Sequence, residues 1–193
     1  RQMCIRDRVG LITEREYEEP RRRGSFKSRS FRVGYLWPTG DSMGGADRLI
    51  AVDLGYQYDT GDWFLSGRSG VRWGGDLEDD GGEAIDLAVF EAKIGRFMSR
   101  SDFSPFVDAG MGLHWVREKA RIDLQNGIED RTDSGVGLAA LAGVGFTAFR
   151  TWDFLFQVDV DFFYVFEELD TGGHPAGIIS VSYTHLTLPT NRE

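Results

Sequence analysis

From Phe31 onward, apolar residues recur at every second position, and the clearest run is Trp152 to Phe166. Its even positions read Trp152, Phe154, Phe156, Val158, Val160, Phe162, Tyr164 and Phe166, an unbroken apolar series. Its odd positions read Asp153, Leu155, Gln157, Asp159, Asp161, Phe163 and Val165. Successive strand residues point to opposite sides, so one face is apolar and the other carries the charge. A helix built from the same residues would smear both classes around its circumference. The pattern predicts a strand.

The same alternation recurs along the chain. Val136, Leu138, Ala140, Ala142, Val144, Phe146 and Ala148 share a face opposite glycines and alanines, and Arg150-Thr151 then gives hairpin spacing to the Trp152 strand. Pro105 to Trp115 sets Val107, Ala109, Met111, Leu113 and Trp115 against Asp108, Gly110, Gly112 and His114. Earlier candidates are Phe31–Trp37, Ile50–Tyr58 and Trp63–Trp73; Gly177–Tyr183 is the last. Ala84 to Met98 begins with Ile85, Leu87 and Val89 on one face and then changes phase at Phe90, Ala92 and Ile94. That change predicts a β-bulge.

These are eight strands, and their connections alternate in length. Residues 39–48, 75–83, 118–133 and 167–175 read as long polar loops, whereas 60–61, 99–103 and 150–151 read as tight turns. Long loops at one end and tight turns at the other describe an up-and-down barrel with both termini at the tight-turn end. The expected fold class is therefore all-β, an eight-stranded antiparallel up-and-down transmembrane β-barrel.

Period alone does not say which face points in, because soluble carrier barrels such as lipocalins alternate too. Residue size does. Eight strands enclose an interior just wide enough for side chains to fill, so a lumen lined by large aromatics would be overfilled, while small residues and opposite charges fit. The bulky face is expected to point outward into lipid, with Trp152, Phe154, Phe156, Val158, Val160, Phe162 and Tyr164 as its lipid-facing stripe. Trp37, Tyr58, Trp63, Trp73, Trp115 and Trp152 suit interfacial girdles. The inward face supplies an expected lumen charge network of Arg32, Asp53, Arg68, Arg72, Asp86, Asp108, Asp159 and Asp161, with Asp159 and Asp161 pairing to Arg68 and Arg72, since buried charges need partners.

Composition narrows the classes further. The 193-residue chain carries a net charge of −9, which argues against a nucleic-acid partner. One cysteine, Cys4, permits neither an internal disulfide nor a cysteine zinc cluster. No run of eighteen apolar residues exists to make a membrane-spanning helix, a criterion that does not bear on barrel strands. Residues 1–8 and 182–193 resemble translated sequencing-adapter read-through. The domain reading is accordingly 1–30 as an artefact-like start and charged linker, 31–183 as the barrel, and 184–193 as an artefact-like tail.

Ser104-Pro-Phe-Val-Asp-Ala-Gly-Met-Gly-Leu113 resembles the strand opening Pro-aromatic-Val-x-Ala-Gly-x-Gly of small outer-membrane β-barrel domains, the OmpA/OmpX/opacity-like superfamily. Gly143-Val-Gly-Phe146, followed by a hairpin and the aromatic Trp152 strand, is similar to what comes next in them. The resemblance covers Phe31 to Tyr183 in architecture. It implies location in a bacterial outer membrane and contact with outer-membrane lipid and the barrel-insertion machinery. It also implies long external loops that meet an unidentified extracellular ligand. Family members end in an aromatic residue, and Glu193 departs from this. A non-enzymatic structural or surface-interaction role leads. A solute pore, a lipid-modifying enzyme and a soluble carrier are the alternatives.

Candidate chemistry is sparse. Asp76-Leu-Glu-Asp-Asp-Gly-Gly-Glu83 has acids at calcium-loop spacing, but Leu87 occupies the position that needs a bidentate Glu, and strands flank it; it reads as a solvated external loop. His114 lies on the inward face, and Ser66, Ser69 and Ser134 make no recognisable nucleophile arrangement with it. The Gly135-x-Gly137 and Gly143-x-Gly145 pairs are not phosphate loops, for want of a following Lys-Ser or Lys-Thr and a helix; they read as inward glycines that relieve crowding. No catalytic, cofactor or metal residues are assigned.

Overall fold

A computed structural model describes residues 26–39, 43, 46–75, 82–124, 127–150, 154–169 and 173–187. Period-two segments become eight strands: β1 (Phe26–Pro38), β2 (Arg48–Asp59), β3 (Trp63–Gly75), β4 (Glu83–Phe97), β5 (Ser104–Leu124), β6 (Gly127–Ala148), β7 (Phe154–Val165) and β8 (Ala176–Thr187). Each pairs antiparallel with its neighbour in sequence, and β8 returns to β1, so the sheet closes. Closure removes the free edges that an open eight-stranded sheet would expose. The fold is the expected eight-stranded up-and-down antiparallel barrel.

Large apolar side chains face out on every strand: Phe31, Leu54, Leu65, Ile94, Met111, Leu138, Val144 and Phe162 are all exposed. Trp63 and Trp73 mark the two ends of this band on β3. A strand rise of about 3.3 Å with the tilt usual for barrels separates them by about 25 Å along the axis, the height of a bilayer-spanning apolar band.

Strand limits differ from expectation in informative places. β1 begins at Phe26, within the segment read as linker, and β8 continues past Tyr183 to Thr187. The stretch 118–133, expected as a long loop, instead continues β5 and β6 as one hairpin paired from Glu118↔Asp133 to Leu124↔Gly127. Beyond the apolar band both faces of a hairpin meet water, so pairing persists without any apolar alternation to announce it.

The phase change in β4 is a bulge. Arg68 pairs with Glu91 and Gly70 with Ala88, so Ser69 on β3 faces two residues, Val89 and Phe90. Both are outward, at 45% and 56% exposure, and by absorbing the extra residue the bulge keeps Glu91 and Lys93 inside.

Candidate functional site

Among the described residues buried charged side chains converge in the barrel interior, which is stacked in three layers. At the tight-turn end Phe64, Phe97 and Phe106 form a floor with ring centroids 5.0 to 6.0 Å apart. Arg150 lies over Phe97 at 3.7 Å and donates to Asp59 at 3.0 and 3.1 Å. At the loop end an apolar cap includes Leu36, Leu49, Phe163, Ile179 and Met43. Met43 holds a left-handed φ of 59° and is fully buried there, so its burial offsets the backbone cost.

Between floor and cap lies the charge layer. Asp53, Asp86, Glu91, Asp108, Asp159 and Asp161 share it with Arg32, Arg68, Arg72 and Lys93, all at most 8% exposed. Arg32 donates to Asp159 at 2.9 Å. Arg68 donates to Asp161 at 3.0 Å and to Glu91. Arg72 bridges Asp86 and Glu91, each at 2.6 Å, and Lys93 bridges Asp108 at 2.8 Å and Asp161 at 2.5 Å. Bridging cations let Glu91 and Asp161 be compensated by more than one donor each, which suits a low-dielectric interior. Asp53 is held electrostatically, 3.7 Å from Arg32 and 3.9 Å from Arg72, without a hydrogen bond.

All eight residues expected in the lumen network lie buried inside the barrel. Asp161 pairs with Arg68 as expected, while Asp159 takes Arg32 in place of Arg68 or Arg72, and Arg72 serves Asp86 and Glu91. Glu91 and Lys93 were missed, although each bridges two partners, Arg68 and Arg72 for Glu91 and Asp108 and Asp161 for Lys93. Their signal was the β4 phase change, which had only to be carried two residues further. On the outer wall Phe156, Val158 and Tyr164 are half-buried and Val160 and Phe162 exposed, all opposite in face to Asp159 and Asp161. Trp152 lies outside the described residues, as does the side chain of Phe154 and most of the 76–83 acidic run.

The expectation that small residues and charges alone fill the lumen needs correction, because Phe64, Phe106 and Phe163 also point inward. Each sits opposite a glycine on the neighbouring strand, Gly95, Gly145 and Gly177 respectively. Crowding is therefore settled pairwise across the ladder, large against none. Gly143 plays the same part under the charge layer, where a Cβ would collide with the carboxylates of Asp161 and Asp108.

Two arrangements have the residue types of chemistry. Carboxylate oxygens of Asp108, Asp159 and Asp161 lie within 4.8 Å of one another, a spacing able to hold a cation. The Lys93 ammonium already bridges two of them and Arg32 binds the third, so positive charge is built into the protein there. His114 donates through Nδ1–H to Asp86 at 2.8 Å, stacks 5.9 Å from Phe163 and is fully buried. Its Nε2 lies 3.1 Å from Glu91 without hydrogen-bond alignment. With Arg72 3.4 Å from Nδ1 as well, the ring is fixed among carboxylates, a guanidinium and a phenylalanine, and no serine or cysteine is among these partners in the described residues. A cavity of about 20 Å³ between floor and charge layer, lined by Arg32, Gln57, Phe64, Arg68, Lys93 and Asp108 among others, has room for about one water.

No protein-family model and no curated protein matches the chain. Solved structures do. Neisserial surface protein A superposes with a TM-score of 0.60 at 12% identity, covering 86% of this chain and all of that one. The N-terminal β-barrel domain of Pseudomonas aeruginosa OprF gives 0.43 at 15% identity, over 84% of this chain and 99% of that one. The Yersinia pestis attachment invasion locus protein Ail gives 0.44 at 17% identity, with the same coverage. This chain has the fold of the small eight-stranded outer-membrane β-barrels.

Proposed function

We propose that this protein is a bacterial outer-membrane barrel with a non-enzymatic structural or surface-interaction role exerted through its loop end. The observation that carries the reading is the pairing of an apolar outer wall with a filled lumen. The wall calls for lipid on all sides. The lumen is occupied by a phenylalanine floor, an ion-paired middle and an apolar cap, which argues against a solute pathway and leaves the loops and the extended β5–β6 hairpin as the working surface. A soluble carrier is disfavoured by the same wall, which would expose Leu54, Leu65 and Met111 to water. In this reading the partners are outer-membrane lipid, the insertion machinery and an unidentified ligand of the loops, with no nucleic acid.

The orientation follows from the alternating connections: tight turns and both termini in the periplasm, loop end outside. Cysteines placed at Asn126, at the hairpin tip outside the described residues, and at Thr60, in the β2–β3 turn, test it. A membrane-impermeant maleimide on intact Gram-negative cells should label Asn126→Cys readily and Thr60→Cys poorly. Equal labelling would contradict the placement.

A further inference from the structure

We propose that the tight-turn end of the β1–β4 wall is a docking patch for an anionic phospholipid headgroup, an inference that rests on the membrane reading above. Lys27 and Arg29 project from the outward face of β1 and are exposed. The β1–β2 register sets Lys27 opposite Tyr58 and Arg29 opposite Tyr56, so each cation has a phenol beside it on the same face. Two strands away Trp63 pairs across the ladder with Arg96, whose guanidinium lies 5.4 Å from a Trp63 ring centroid.

Leu65 and Ile94, 57% and 55% exposed, continue the row from Tyr58 and supply an apolar track toward mid-wall. A phosphodiester offers one negative charge and several acceptor oxygens, and the cations and phenols offer matching donors at the level where headgroups sit.

Among the described residues no carboxylate pairs with Lys27, Arg29 or Arg96; Asp59 turns inward to Arg150, and Asp62 is held by Arg100. The opposite rim differs, for Arg48 there lies 6.0 Å from the Tyr35 ring and Glu83 and Glu168 are exposed. That rim carries both signs, with Arg117 exposed as well, whereas Lys27, Arg29 and Arg96 at the tight-turn end form no ion pair with a carboxylate among the described residues. A zwitterionic headgroup would bring its own cation against these three.

The test uses the full chain with Trp63 as the sole tryptophan (Trp37, Trp73, Trp115 and Trp152 replaced by Phe), refolded into phosphatidylcholine vesicles. Brominated phosphatidylglycerol should quench Trp63 at about one-fifth the mole fraction that brominated phosphatidylcholine requires, the preference expected from a single well-placed cation at an anionic surface, or at less if the cations add. Lys27→Gln with Arg29→Gln should bring the two lipids within about twofold, while Arg48→Gln at the other rim should leave the preference intact. Equal quenching in the parent chain, or the same loss from Arg48→Gln, would overturn the patch while leaving the membrane reading standing. A chain that yields no protease-resistant barrel in any vesicle would overturn the membrane reading and the patch with it.

Discussion

Val158 and Asp159 are adjacent, yet the fold gives them different surroundings, which makes them the sharpest residue-level probes. Val158 faces out near mid-wall, where an arginine costs about 2–4 kcal/mol in membrane barrels. Val158→Arg should therefore lower the urea midpoint in vesicles, and an unchanged midpoint would mean that this face meets water. Asp159 faces Arg32. Arg32→Gln leaves a buried carboxylate short of a partner and should cost about 3–5 kcal/mol, whereas Asp159→Asn keeps its shape and some hydrogen bonding and should cost less. The double variant should be more stable than the two losses added, by about 0.5–3 kcal/mol. Simple additivity would show that the pair is not coupled. Outside the wall, hydrogen bonds from Arg100 at 2.7 and 2.6 Å hold the Asp62 carboxyl below its ordinary value. A depressed carboxylate contributes above the unfolded value of 3.8 and loses that contribution as pH falls through its folded value. Carbon-detected titration of Asp62 should thus show a midpoint below 3.8 that moves upward in Arg100→Gln; an unmoved midpoint would deny the contact.

At the scale of elements, the β4 bulge decides the most. Val89 is the residue that β5 leaves unpaired between Ala88↔His114 and Phe90↔Leu113. Deleting it should restore plain alternation, with Ala88 in, Phe90 out and Glu91 and Lys93 still in, whereas inserting one residue between Phe90 and Glu91 should expel Glu91 and Lys93 from the lumen and leave Arg68, Arg72, Asp108 and Asp161 short of partners. The insertion should abolish the compact, heat-modifiable band on gel electrophoresis, while the Val89 deletion should keep it; a folded insertion variant, or a deletion that does not fold, would contradict this reading of the phase. This element also shows what a sequence can disclose. The phase shift at Phe90 was legible as a bulge because apolar residues sit on both sides of it, and strand alternation was legible wherever one face met lipid and the other the lumen. Where both faces of the β5–β6 hairpin leave the apolar band, alternation vanishes and the strands read as loop. Lumen members could be recognised by phase, but not their partners, since Arg32 and Asp159 meet across the interior from strands far apart in sequence.

For the whole molecule, closure and filling go together. The inward phenylalanines and charges fit because glycines face them across the ladder, at Gly95, Gly143, Gly145 and Gly177. That pairing was hidden in the sequence, where inward glycines suggested relief of crowding without showing which bulky residue each accommodates. The account's central claim is that the apolar wall faces lipid around a packed interior. The most direct measurement is a nitroxide scan of β7 from Leu155 to Val165 in refolded vesicles, comparing collision with oxygen, which partitions into lipid, and with a water-soluble nickel chelate. The account predicts a period of two, with Phe156, Val158, Val160, Phe162 and Tyr164 high in oxygen contact and low in nickel contact, and the intervening positions low in both. Oxygen contact without that period, or nickel contact highest at the even positions, would contradict it.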